Sequence, residues 1–253
     1  MTDTVANPSE VSPNPSHTNG GSKPWSVPLN GSTGPDHLLL PLATPVGRVQ
    51  WPPPPIVSGC RAALTQLGAT PGCLGITSSW PGEGRTTVAT TSALILSRDY
   101  GHPTILVELD LERPTLATRM GIPSSPGVAE LVRKETGLAE AIHVVDDQLG
   151  VVVAGKVNGP IAPLAAGTLT LGLLSHLRGR AHAVVADLPP LLSSEFATQF
   201  AESCDVVALV VRSSATAVSD VRRAAQNLRE APPVILNDIA SSVPRWLARL
   251  TRV

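Results

Sequence analysis

The chain has 253 residues, 42% of them hydrophobic and 15% charged, with a formal net charge of -1. That length suits one α/β domain of ordinary size plus a tail, and such a domain buries a large core. The near-neutral charge gives no field to draw nucleic acid or an anionic membrane over the whole surface, and 3% aromatic residues leave no stacking platform for single strands.

The cysteines, Cys60, Cys73 and Cys204, are odd in number and far apart. Neither a disulfide framework nor a zinc site follows, and a reducing compartment fits better. The histidines are scattered without ligand spacing. No stretch approaches the roughly 18 to 20 apolar residues that span a bilayer. Met1-Thr2-Asp3-Thr4 lacks the basic start and apolar run of a signal peptide. A cytoplasmic location is the expectation.

In chain order, residues 1–55 are rich in Pro, Ser, Asn, Thr and Gly and end in Trp51-Pro52-Pro53-Pro54-Pro55. Such a segment cannot bury enough apolar surface to offset its chain entropy, so it reads as a disordered tail. A folded domain is expected over 56–240. Its elements begin with a helix over 57–67, an apolar strand over 72–78, a Gly-rich loop and a helix over 86–99. A strand over 104–110 follows, then helical stretches over 127–133 and 137–144. Next come a strand over 149–154, a helix over 164–178, a strand over 182–187 and a helix over 195–203. A strand over 205–211, a helix over 217–230 and a strand over 233–236 complete the domain. Residues 241–253 read as a short basic helix. Strands alternating with helices imply right-handed crossovers and a mostly parallel sheet with helices on both faces. The near-continuous apolar strands agree with a sheet covered on both sides.

The loop Ser79-Trp80-Pro81-Gly82-Glu83-Gly84-Arg85-Thr86-Thr87 carries the first chemistry. The P-loop pattern GxxxxGK[ST] wants Gly where Ser79 stands and Lys where Arg85 stands. The context supplies what the bare pattern lacks: a strand leads in, a helix leads out, and Gly82 and Gly84 let backbone N–H groups curl around an anion at the helix N-terminus. ATP is the expected ligand, with Arg85 reaching its β/γ phosphates and the Thr86 hydroxyl offered to Mg²⁺. The run Val107-Glu108-Leu109-Asp110 puts two carboxylates at the end of a strand, suited to Mg²⁺ coordination or to activating an attacking group. Ala183-Val184-Val185-Ala186-Asp187 ends another apolar strand in an acid, the usual place of the water-mediated Mg²⁺ contact of P-loop proteins.

These motifs together resemble the bacterial tyrosine kinases of capsule and exopolysaccharide synthesis, within the Min/Par-type class of deviant-Walker P-loop NTPases. The last nine positions of the family's loop, Ser-x-x-Pro-Gly-Glu-Gly-Lys-Thr-Thr, are matched by Ser79 to Thr87 with Arg for Lys. Its acidic motif Asp-x-Asp-x-Arg-Arg-Pro appears as Glu108 to Pro114, and its Asp-Thr-Pro-Pro as Asp187-Leu188-Pro189-Pro190. Gly127 to Val132, Val153-Ala154-Gly155, Val211-Arg212 with Thr216, and Leu236-Asn237-Asp238 are also similar. The resemblance implies phosphate binding by Pro81 to Thr87, adenine recognition by Asn237, and a metal shell of Thr86, Asp110 and Asp187. It makes Arg85, Glu108 and Asp110 the catalytic candidates, with Glu108 as metal ligand or base. It implies a regulator of polysaccharide polymerisation or export, working with a separate membrane chain-length or export protein.

The departures bear on activity. A guanidinium does not replace an ammonium conservatively. Glu112 reverses the charge usual in the family. Arg61 lacks the Glu and second Arg used in ring assembly, since Ser58 and Leu64 hold those places. The chain has one tyrosine, Tyr100, and no C-terminal tyrosine cluster. The alternatives are therefore a catalytically impaired pseudo-kinase acting as a nucleotide-dependent interaction module, an active kinase on other proteins, or a positioning ATPase, whose usual early lysine is replaced by Trp80. The segment Pro244 to Val253 is either a last helix packed on the domain or a weak membrane contact through Trp246, Leu247 and Leu250.

Overall fold

The structure, a computed structural model, describes residues 52–68 and 72–238. Of the tail expected over 1–55, residues 1–51 lie outside the described residues, as does the basic helix expected over 241–253, while Pro54 and Pro55 already belong to the first helix.

Seven strands form one sheet: β1 (Cys73–Ser78), β2 (Thr104–Glu108), β3 (His143–Val144), β4 (Leu149–Val152), β5 (Ala183–Asp187), β6 (Val206–Arg212) and β7 (Val234–Asn237), in the order β3-β4-β2-β5-β1-β6-β7. Every pairing is parallel except β3 with β4. The expected parallel sheet is thus present, with one short antiparallel edge. Because β5 lies between β2 and β1 and all three run parallel, their C-terminal ends lie side by side at one edge of the sheet. Ile76 lies level with Asp187, and Glu108 level with Asp187 on the other side.

Alternate residues of each strand feed two cores. On one face Leu74, Ile76, Leu106 and Val185 pack against α1 (Pro54–Leu67) and α2 (Arg85–Leu94). In α1, Pro54 tolerates the first turn, where its missing N–H is not needed, and Cys60 and Leu64 share the buried stripe one turn apart. On the other face Ile105, Val107, Val152 and Val184 pack against α4 (Val128–Val132), α6 (Ile161–Leu171), α7 (Leu173–Arg178) and α8 (Ala197–Glu202). The helices α3 (Leu116–Met120), α5 (Leu138–Ala141) and α9 (Val218–Gln226) complete the set. Helices therefore cover both faces. Among the described residues no helix is long and apolar enough to cross a membrane.

Several elements differ from the sequence reading. The helix expected over 86–99 widens into a π turn at Ile95–Asp99, closed by Tyr100 N–H on the Ile95 carbonyl at 3.1 Å. The helix expected over 164–178 breaks at Gly172, whose φ of 62° is the left-handed geometry that ends helices. The stretch over 137–144 is helical only to Ala141, because His143 and Val144 are drawn into the edge strand beside Gly150 and Val151. The helix α3 escaped the periodicity argument because one short turn between Pro114 and Gly121 shows no repeat.

Candidate functional site: the glycine-rich loop and two strand-end carboxylates

The chain leaves β1 at Ser78 and turns through 79–84 into α2. Gly82 (φ 84°) and Gly84 (φ 95°) supply the left-handed conformations the turn needs. At Gly84 a side chain would also run into the Asn237 amide. Arg85, Thr86 and Thr87 form the first turn of α2, whose N–H groups have no carbonyl behind them within the helix. This is the concave donor array that suits an anion.

Three contacts hold the loop. The Thr216 hydroxyl donates to Glu83 Oε1. The Trp80 N–H donates to Glu83 Oε2 at 3.1 Å. Asn237 Nδ2 donates to the Glu83 carbonyl at 2.9 Å. Trp80 is itself held on α9: its indole N–H donates to Asp220 Oδ2 at 2.9 Å, and the Arg223 guanidinium lies 5.9 Å from its ring centre. Pro81 and Gly82 are exposed at the loop tip, while Glu83 is buried. Asn237, at the end of β7, is thereby engaged with the loop.

Arg85 points inward. Its Nη2 is 2.5 Å from Asp110 Oδ2, its Nε 3.2 Å from Asp187 Oδ1, and its Nη1 3.3 Å from Ser78 Oγ. The structure therefore brings Arg85, Asp110 and Asp187 together, with the guanidinium between the carboxylates. Asp110 is further fixed by the Arg113 N–H on Oδ1 at 3.1 Å. Burial pushes the Asp187 carboxyl up to about 6, against the opposing pull of the Arg85 charge and the Thr86 hydroxyl. Its Oδ2 is buried with no partner, as is Ser79 Oγ.

Glu108 lies next to this cluster but spends both oxygens on backbone. Oε1 accepts from the N–H of Thr115 at 2.6 Å and of Leu116 at 2.8 Å, and Oε2 from the N–H of Ala154 at 3.1 Å. The carboxylate caps α3 and ties it to the end of β4. Burial raises its pKa above the ordinary range, although the three N–H groups pull the other way.

A divalent ion between the strand ends would draw on Thr86, Asp110 and Asp187. The guanidinium already takes one oxygen of each carboxylate. In this arrangement the residues do not fit Mg²⁺.

Sequence reasoning did not single out Arg119, whose Nη1 reaches Thr87 Oγ1 at 3.5 Å from the end of α3, or Ser78, which braces the loop by donating to the Trp80 carbonyl at 2.8 Å. No local signal marks either: both contacts follow from where α3 and β1 end.

A parallel sheet, a glycine-rich loop opening a helix, and acids at the ends of the two strands beyond it define a P-loop NTPase fold. No family model matches the chain. It is 27% identical over 168 residues to tyrosine-protein kinase YwqD of Bacillus subtilis, covering 65% of this chain and 69% of that one. The crystal structure of the VpsO kinase domain superposes with a TM-score of 0.64 at 28% identity, over 74% of this chain and 97% of that domain. The cell division ATPase MinD of Pyrococcus furiosus shares the fold with a TM-score of 0.55 at 20% identity, over 70% of this chain and 77% of that one. The chain is thus similar to bacterial tyrosine kinases, and it shares the P-loop ATPase fold of MinD.

Proposed function

We propose that this protein is a nucleotide-binding regulator of the bacterial tyrosine-kinase type, binding ATP at residues 81–87 and acting in the cytoplasm on a separate membrane protein of polysaccharide chain-length control or export. The observation that carries the reading is the donor array at the start of α2, backed by the glycines at 82 and 84 and latched by Glu83 to Thr216 and Asn237. The kinase relatives and the P-loop fold support the choice of ATP over other anions.

Phosphoryl transfer is the weaker half of the family's activity here. Arg85 is tied to two carboxylates, and Glu108 has both oxygens on backbone N–H groups. Neither is free to orient a hydroxyl or a γ-phosphate as the chain stands. The reading is therefore of a module that senses nucleotide through its loop and transmits it through Trp80 and α9.

Calorimetric titration of ATP into the full chain tests it. Binding in the micromolar range is expected, and loss of binding in Gly84→Val with an unchanged circular dichroism spectrum. No heat at millimolar ATP would reject the proposal.

A further inference from the structure

Between the ends of β2 and β5 one cation faces two acids. The Arg85 side chain is 10% exposed, Asp110 3% and Asp187 1%. Two carboxylates held this close and this dry need a counter-charge, because a buried ion without a partner is strongly destabilising. In a P-loop site of the usual kind a hydrated Mg²⁺ bridges such acids to the phosphates. Here the guanidinium takes that position, and three of its nitrogens donate in one plane: Nη2 to Asp110, Nε to Asp187 and Nη1 to Ser78. A lysine ammonium, a compact point charge, cannot span that fork.

Mg²⁺ demands near-ideal octahedral oxygen ligands at about 2.0 to 2.1 Å and gives up its waters reluctantly. To enter, it would have to evict the guanidinium and then sit beside a second cation in a space with little water to screen them. The free Asp187 Oδ2 offers one oxygen, walled in by buried side chains.

We infer that Arg85 is a covalently tethered substitute for Mg²⁺, so that the loop takes a nucleoside polyphosphate as the metal-free anion, on the N–H groups at the start of α2. The nucleotide half of this rests on the function proposed above; the metal half does not.

The test uses the full chain and Mn²⁺ as probe, with free Mn²⁺ read by electron paramagnetic resonance. Among the described residues no cluster of three or more His, Cys, Asp or Glu could hold a metal, so uptake that depends on Asp187 reports this position. The native chain is expected to take up no Mn²⁺ here. Arg85→Ala, and the gentler Arg85→Lys in case the first fails to fold, should each gain a site that Asp187→Asn removes. Native uptake matching that of the Arg85 variants would overturn the inference. So would a folded Arg85→Ala chain that binds no Mn²⁺.

In a second arm ATP is titrated in Mg²⁺ and in EDTA. Equal affinity within about twofold supports a metal-free site, whereas binding about tenfold tighter in Mg²⁺ overturns it. If ATP binds in neither medium, the nucleotide function fails while the Mn²⁺ arm still decides what Arg85 replaces.

Discussion

Asn237 Nδ2 donates to the carbonyl of Glu83 at 2.9 Å across 154 positions of sequence, so the strand at one edge of the sheet holds the glycine-rich loop in place. With the Thr216 hydroxyl on the Glu83 carboxylate, it makes the loop part of the β6–β7 edge and not a free turn.

Asn237→Ala removes one partly buried hydrogen bond and should cost about 1 kcal/mol in urea unfolding. More specifically, amide hydrogen exchange at 82–87 should accelerate while β1 and β5 stay protected. Unchanged exchange in the loop would show that Asn237 does not restrain it.

Glu108→Gln keeps the shape but removes the charge and turns an NH₂ towards N–H donors. The three N–H groups from Thr115, Leu116 and Ala154 then lose at least one acceptor, at a cost of about 2 kcal/mol. A lowered denaturation midpoint in urea is expected. A full-stability Glu108→Gln chain would release this carboxylate for a chemical role.

Glu130 governs one part of the acid sensitivity. Burial works against its charge, but the N–H groups of Lys156 and Gly127 and the Ser125 hydroxyl outweigh it and hold the pKa below the ordinary value of 4.5. A depressed folded pKa means that the unfolded chain binds the proton first, so the contribution is complete above pH 4.5 and fades as pH falls through the folded value. Stability measured across that range should therefore decline for the native chain. For Glu130→Gln it should start lower and decline less. Parallel profiles would rule out Glu130 as the group concerned.

Tyr100 is 39% exposed just beyond the π turn, about 22 Å along the helix from Arg85 at 1.5 Å per residue. It cannot reach the loop of its own chain. Incubation with ATP should leave it unmodified by mass spectrometry, and Tyr100→Phe should change stability by less than about 0.5 kcal/mol. Phosphate on Tyr100 in the purified chain would require transfer between molecules.

Much of the architecture was legible in residue order. Apolar runs such as Ile105 to Val107 and Val184 to Ala186 announce strands buried on both faces, and glycines at 82 and 84 followed by Arg85-Thr86-Thr87 announce a loop feeding a helix. These are local signals, set by side-chain period and backbone freedom within a few residues. The edge strand at His143–Val144 was not legible, because two residues carry no period and are strand only by pairing with β4.

What the sequence by itself determined is the α/β alternation, the loop and the two acids at strand ends. What only tertiary structure decided is where their charges go. Arg85 meets Asp110 across 25 positions and Asp187 across 102, and Glu108 meets Ala154 across 46. Such pairings depend on which strands become neighbours and on the cost of burying each carboxylate without a partner, and neither quantity is written in any short stretch of chain.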